Sequence, residues 1–178
     1  MQKAIFAGGC FWCTEAVFLK IEGVQKVISG YTGGKIKNPC YREVAMGLTS
    51  HAEAIQIEFD ESKVTYEKLL EIFFATHDPT TLNRQGNDVG TQYRSEIFYT
   101  DENQKNIAES FIQWLTEENI FSKSIVTKIS PAMPFYEAED YHQNYYNLNS
   151  SQPYCQIIID PKIAKLEKYY AAQLKKAQ

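Results

Sequence analysis

The feature that most restricts this chain is a glycine pair set between a strand pattern and a helix pattern, with a cysteine immediately after it. Lys3 to Ala7 reads as a short buried strand, Gly8 and Gly9 as a tight turn, and Phe11 to Ile21 as a helix. Cys10 therefore stands where strand becomes helix. There, unpaired helix N–H groups and the positive end of the helix dipole are expected to favour its thiolate and lower its pKa. Cys13 lies three residues on, within one helical turn and within reach of a disulfide after modest adjustment.

Composition limits what such a turn can serve. In 178 residues, 44% are apolar, enough for one packed domain, and the net charge of -4 argues against a nucleic-acid surface. The apolar stretch from Ala4 to Cys13 is too short and too glycine-broken for a membrane span or a leader, so neither is expected. Four cysteines at 10, 13, 40 and 155 are too few and too uneven for a secreted disulfide scaffold, and a reducing, cytoplasmic compartment is expected.

Along the rest of the chain, Val24 to Tyr31, Ile55 to Phe59, Tyr93 to Thr100, Ile125 to Ile129 and Gln156 to Ile159 read as strands. Thr65 caps a helix reaching Thr76, and Asp101 with Gln104 starts a helix whose inward face is Ile107, Phe111, Trp114 and Leu115. Asp160-Pro161 opens a last helix with Ile163, Leu166, Tyr170 and Leu174 inward, and the tyrosine-rich stretch Tyr136 to Tyr146 reads as a packed helix. Thr80 to Gln92 and Ser130 to Pro134 read as irregular loops. The expectation is an α+β fold: one domain over residues 1–178, a two-layer sandwich with helices over a mostly antiparallel sheet, its C-terminal helix (161–178) packed on it.

Several chemistries fit a Cys-x-x-Cys pair. Two buried filler thiols are possible, although a glycine turn is a costly place for filler. Structural zinc needs four ligands, and neither Cys40, Cys155 nor His51, His77 and His142 supplies a second pair. A thioredoxin-like motif would want an earlier strand-helix unit, and Phe11 and Trp12 between the thiols look more like walls of an apolar pocket, or simply core. Glu53 shares parity with Ile55, Ile57 and Phe59. If residues 53–59 form one strand, its carboxyl faces the apolar side, keeps its proton and can act as a general acid; if residue 53 lies in the preceding turn, it is solvated.

Five segments then take on meaning together: Gly8-Gly-Cys-Phe-Trp-Cys-Thr-Glu15, Asn38-Pro-Cys-Tyr-Arg-Glu-Val44, His51-Ala-Glu53, Gly86-Asn-Asp-Val-Gly-Thr-Gln-Tyr-Arg-Ser95 and Glu139-Asp-Tyr-His-Gln143. In this order they resemble the motifs of the peptide methionine-S-sulfoxide reductases. The resemblance implies an α+β fold with a ferredoxin-like core and extended loops, and Cys10 as a nucleophile that becomes a sulfenic acid. It makes Phe11 and Trp12 the wall for the substrate methyl, Glu53 the proton donor, Tyr41 and Tyr93 partners of the sulfoxide oxygen, and Asp88 part of the substrate loop. It implies reduction of methionine-S-sulfoxide, free or in oxidised proteins, with regeneration by thioredoxin or a similar dithiol, and no metal or organic cofactor.

The sequence also departs from that pattern. Many members have glycine at the position of Cys13, a small hydroxyl residue at that of Cys40 and glycine at that of Ser50. Many recycle through cysteines in a glycine-rich tail that the residues after Cys155 do not resemble. The candidates for resolving the sulfenic acid are thus Cys13 and Cys155, with Cys13 favoured as the neighbour and Cys155 carried by a mobile segment before a final strand. Two other classes stay open at this point: a cysteine-dependent acyl-transfer hydrolase using a histidine, and a non-catalytic peptide-binding module using the Phe11-Trp12 slot.

Overall fold

The computed structural model describes residues 1–176; residues 177 and 178 lie outside it. β1 (Gln2–Gly8) is the axis of the fold, pairing antiparallel with β3 on one side and β6 on the other. Its alternation decides two packing faces: Ala4 and Phe6 enter the main core, while Ile5 and Ala7 join Ala52, Ala54 and Phe98 in a small cluster under Phe135. α1 (Phe11–Phe18) follows directly and is buried at every position except Trp12, its polar Thr14 and Glu15 included. The helix ends at Phe18 rather than Ile21, because Lys20 and Glu22 bond with Lys175 and Gln173 near the C-terminus and Ile21 bridges Leu174.

β2 (Val24–Thr32), α2 (Tyr41–Ala45) and β3 (Ala52–Phe59) come next, and α3 (Tyr66–Thr76) is capped by Thr65, whose hydroxyl accepts the Lys68 N–H at 3.1 Å. α3 lays Leu69, Leu70, Ile72 and Phe73 on the sheet, with Phe73 stacked on Phe6 at 4.8 Å. The stretch expected to be irregular from Thr80 to Gln92 contains a small hairpin, β4 (Arg84–Gln85) and β5 (Asp88–Val89), which turns at Gly86. After a short 3-10 turn, Thr91–Tyr93, β6 (Ser95–Tyr99) completes the centre of the sheet, so the expected strand begins two residues late.

α4 (Glu102–Glu117) begins as expected, with Asp101 accepting the Gln104 N–H at 2.8 Å. Leu115 is buried, but Trp114 is exposed at the edge of the packed stripe. β7 (Lys128–Pro131) lies parallel to β6; the expected strand is shifted because Val126 instead donates to the Pro79 carbonyl. β7 also takes in the first two residues of the expected loop from Ser130. Tyr136 to Tyr146 is not one helix. It holds β8 (Tyr136–Glu137), a 3-10 turn at Asp140–His142 and the start of α5 (Tyr145–Leu148), because Asn144 adopts a left-handed φ of 54° that breaks helical propagation.

The largest correction concerns Gln156 to Ile159. Cys155–Ile159 forms a π-helical turn, not a strand, and runs into α6 (Asp160–Tyr169). The apolar run did not separate strand from helix by itself, whereas burial does: Cys155, Ile159, Ile163 and Leu166 are buried at helical spacing and Ile157 is exposed. Pro161 has no N–H for an i–4 bond, and the wide turn just before it accommodates that loss. α6 ends at Tyr169, so Tyr170 and Leu174 lie beyond it, although both still pack against the core.

The six strands order as β7-β6-β1-β3-β2-β8, all antiparallel except β6 with β7, in a mixed α/β fold with a mostly antiparallel sheet. Among the described residues no helix is long and apolar enough to cross a membrane.

Candidate active site

The glycine pair is required by what surrounds it. A Cβ at Gly8 would lie 2.7 Å from the Phe73 ring; Gly9 has φ +96°, and a Cβ there would lie 2.7 Å from Gln85 of β4. The turn is thus pressed between α3 and the hairpin, which leaves Cys10 as the half-buried N-cap of α1. Phe11 and Cys13 are buried behind it, and the Cys13 N–H donates to the Cys10 carbonyl at 3.1 Å.

Glu53 lies in β3 on the face of Ile55, Ile57 and Phe59, opposite Tyr31 of β2, and is 2% exposed. Ser50, which leads into that strand, takes the left-handed φ of 60° that glycine adopts most readily. The Glu53 carboxyl accepts the Phe11 N–H at 3.1 Å. Burial raises its pKa to about 8 despite that hydrogen bond, and the Asp88 charge adds to the rise.

This arrangement overturns the expectation of a low Cys10 pKa. The first helix N–H is aimed at Glu53, and burial pushes the Cys10 thiol well up, with hydrogen bonding to Cys13 and the Glu53 charge adding to it and the Trp12 N–H opposing it. Cys13 moves the other way, to about 7, chiefly through its hydrogen bond with Cys10, with further help from Lys162 and Tyr154 against the cost of burial.

The aromatic wall is held from outside. Trp12 stacks on Tyr145 at 3.7 Å with the planes 6° apart, and its indole N–H donates to His142 Nδ1 at 3.0 Å. That bond places the neutral imidazole's proton on Nε2. The His142 ring also packs on Phe11 at 5.1 Å and on Tyr41 at 4.4 Å. Glu15, buried in α1, accepts the Tyr145 N–H and so fixes the start of α5 beneath Trp12. Glu139 ties Tyr31 and Tyr41 together, accepting the Tyr31 hydroxyl at 2.8 Å and the Tyr41 N–H at 2.9 Å.

Tyr41 and Tyr93 are half-buried, and both phenols have raised pKa values, Tyr41 to about 12, first by burial and then by the charges of Glu53 and Cys10 among others. Asp88, in β5, accepts the Tyr154 hydroxyl at 2.9 Å, and that same hydroxyl lies 3.6 Å from Cys13 Sγ. Cys155 is buried in the π-helical turn and not before a strand, and burial raises its pKa, with the Cys13 charge adding to the rise. Cys40 is exposed at the N-cap of α2, its N–H donating to Glu43. Eight of the nine predicted site residues meet around the Cys10 turn or the hairpin beside it, and Cys155 lies in the π-helical turn that faces Cys13. Tyr154, Glu15 and Tyr145 have no role assigned from the sequence; Tyr154 has only its place next to Cys155 to mark it.

Among the described residues no histidine is hydrogen-bonded to Cys10, and the one ring nitrogen without a partner, His142 Nε2, carries the proton of the neutral ring. His51 accepts the Gly34 N–H and bonds the Ile36 carbonyl, His77 bonds the Phe73 carbonyl and Ser95, and His142 bonds Trp12. Among the described residues no cluster of His, Cys, Asp and Glu could hold a metal ion.

The family described as peptide methionine sulfoxide reductase matches residues 2–174 of the chain. The chain belongs to this family. It is 58% identical over 175 residues to peptide methionine sulfoxide reductase MsrA of Acinetobacter baumannii (strain AYE), covering 98% of this chain and 99% of the relative. Mxr1 from Saccharomyces cerevisiae, in reduced form, is a structural neighbour with a TM-score of 0.79 and 34% identity, covering 86% of this chain and 88% of that one. A second neighbour is Mxr1 in complex with Trx2, with a TM-score of 0.55, 27% identity and coverage of 81% and 84%. Membership weighs against both the hydrolase and the non-catalytic binding module.

Proposed function

We propose that this chain is a thiol oxidoreductase that reduces methionine-S-sulfoxide, peptide-bound or free, to methionine, and is returned to the dithiol state by thioredoxin or a similar protein. The observation that carries the reading is the buried Glu53 carboxyl bonded to the N–H of the residue after Cys10, because it sets a proton donor beside a nucleophilic sulfur. The Phe11 and Trp12 rings receive the substrate methyl. Tyr41, Tyr93 and Glu53 donate to the sulfoxide oxygen, and Asp88 with Tyr154 borders the entry.

Cys10 arrives as a thiol, held neutral by burial. As the sulfoxide sulfur is attacked, the thiol proton is handed toward the sulfoxide oxygen through Glu53. The oxygen ends on Cys10 as a sulfenic acid, methionine leaves, and no proton or electron is left over. Cys13 then attacks the sulfenic sulfur, a disulfide forms and water departs; Cys155, held in a helical turn, is the second candidate. An external dithiol reduces that bond and becomes a disulfide itself.

The same reading takes residues 1–178 as one catalytic domain, with Ile163 and Leu166 of α6 packed on it. It takes the fold as a two-layer sandwich on a ferredoxin-like core, supported by the succession β1, α1, β2, β3, α3, β6 and the order β6-β1-β3-β2. Placement in the cytoplasm, without a nucleic-acid, membrane or cofactor partner, belongs to the proposal and suits the four free thiols. Mixing the reduced protein with dabsyl-methionine sulfoxide and following both by mass spectrometry tests it. Methionine product with a protein disulfide is expected; acyl transfer, or binding without conversion, would sink the reading.

A further inference from the structure

A cavity of about 430 Å³ opens beside the two thiols, lined by Cys10, Cys13, Gln85, Asp88, Tyr154 and Lys162 among others. Phe11, Trp12 and Glu53 do not line it, so it meets the sulfur pair away from the aromatic wall. Lys162, half-buried on the first turn of α6, is the sole cation among its lining residues and has no carboxylate partner within salt-bridge distance among the described residues. The other titratable groups facing Cys13 are accounted for. Asp88 is bonded to Tyr154, Glu53 is tied to Phe11, Cys10 is the paired thiol, and Cys155 is a buried thiol from the preceding turn. One unpaired ammonium thus borders a cavity that holds the thiol proposed to resolve the intermediate.

We infer that Lys162 is a positioning residue for regeneration: its ammonium holds the Cys13 sulfur as the thiolate, both when Cys13 attacks and when Cys13 is expelled. The inference rests on the reading that Cys13 resolves. In the first step the Cys13 thiolate attacks Cys10 Sγ, the S–S bond forms, the S–O bond breaks, and the departing hydroxide takes the proton Cys13 had released and leaves as water. In the second, a thiolate of the dithiol reductant attacks one sulfur of the disulfide. The better leaving group is the sulfur more stable as a thiolate, so the electron pair goes to Cys13 beside Lys162. Exposure agrees, since Cys10 is half-buried and Cys13 is 3% exposed. The reductant is therefore joined to Cys10 as a mixed disulfide, which its own second thiol then breaks, releasing Cys10 and oxidising the reductant to its internal disulfide.

The test uses the full chain and its Lys162→Met, Lys162→Gln and Lys162→Arg variants. Each is given one equivalent of methionine-S-sulfoxide, quenched with N-ethylmaleimide over time at several pH values, and its disulfide mapped. Loss of the cation is expected to move the pH midpoint of disulfide formation up by about one unit, close to a tenfold slower step below that midpoint, and arginine to restore it. With a thioredoxin lacking its second thiol, fragmentation mass spectrometry is expected to find the adduct on Cys10. An unmoved midpoint in both neutral variants, or an adduct on Cys13, overturns the role of Lys162 while a mapped Cys10–Cys13 bond keeps the resolving assignment. A mapped Cys10–Cys155 bond removes both.

Discussion

The N–H of Phe11 donates to Glu53 Oε1 at 3.1 Å, joining the residue after Cys10 to a carboxyl 42 positions away in the chain. A strand and a helix N-terminus are locked together at that point. Under the proposed mechanism a change at Glu53 acts on the proton supply and on the seat of α1 at once, and glutamine, which keeps an acceptor oxygen, separates the two.

For Glu53→Gln, methionine formation in a single turnover is expected to slow by roughly a hundredfold, the scale of general-acid catalysis, with little change in substrate affinity. Rapid-quench kinetics measure both. An unchanged rate would assign the protons to Tyr41, Tyr93 or water.

The pH dependence follows from the same group. Glu53 is raised to about 8, so its neutral form is favoured by folding. Its contribution to stability is then complete below the ordinary carboxylate range and is lost as the pH rises through about 8. Relative to Glu53→Gln, wild type is expected to lose denaturation midpoint between the ordinary carboxylate range and about pH 8, with no further difference above it, and to lose first-turnover rate as the pH passes about 8. Parallel profiles for the two proteins in chemical denaturation and rapid quench would contradict this.

Cys10→Ser is expected to fold and to form no methionine, since serine cannot carry the sulfenic acid. Circular dichroism checks the first point and single-turnover product analysis the second. Near wild-type product would remove Cys10 as nucleophile.

In Cys13→Ser the first methionine is expected to appear and further thioredoxin-driven turnovers to stop, whereas Cys155→Ser continues. The reverse pattern in a cycling assay would make Cys155 the resolving thiol, and would require the π-helical turn to open.

Tyr145→Leu removes the ring stacked on Trp12, a contact worth about 0.5–1.5 kcal/mol. KM for a sulfoxide peptide is expected to rise roughly twofold to tenfold, with kcat less affected. Equal losses in both would place the effect in the chemical step instead.

What was legible in the sequence was local. The glycine turn, the Thr65 and Asp101 caps and the parity of Glu53 in β3 depend on spacing and backbone preference, which act within a few residues. The family motifs imply the site residues by resemblance, and the roles given to them belong to the proposed function. What only the tertiary structure decided depends on partners distant in sequence. A helix N-terminus argues for a low Cys10 pKa, but burial and the Glu53 carboxyl reverse it. The β-branched run at Ile157 to Ile159 favours a strand, but packing of Cys155, Ile159 and Ile163 against the core makes it helical. Lys162 was an ordinary exposed-looking lysine until α6 brought it to the cavity of Cys13. Desolvation and charge act through space, and the order of residues along a chain does not specify which groups will be close once the core has formed.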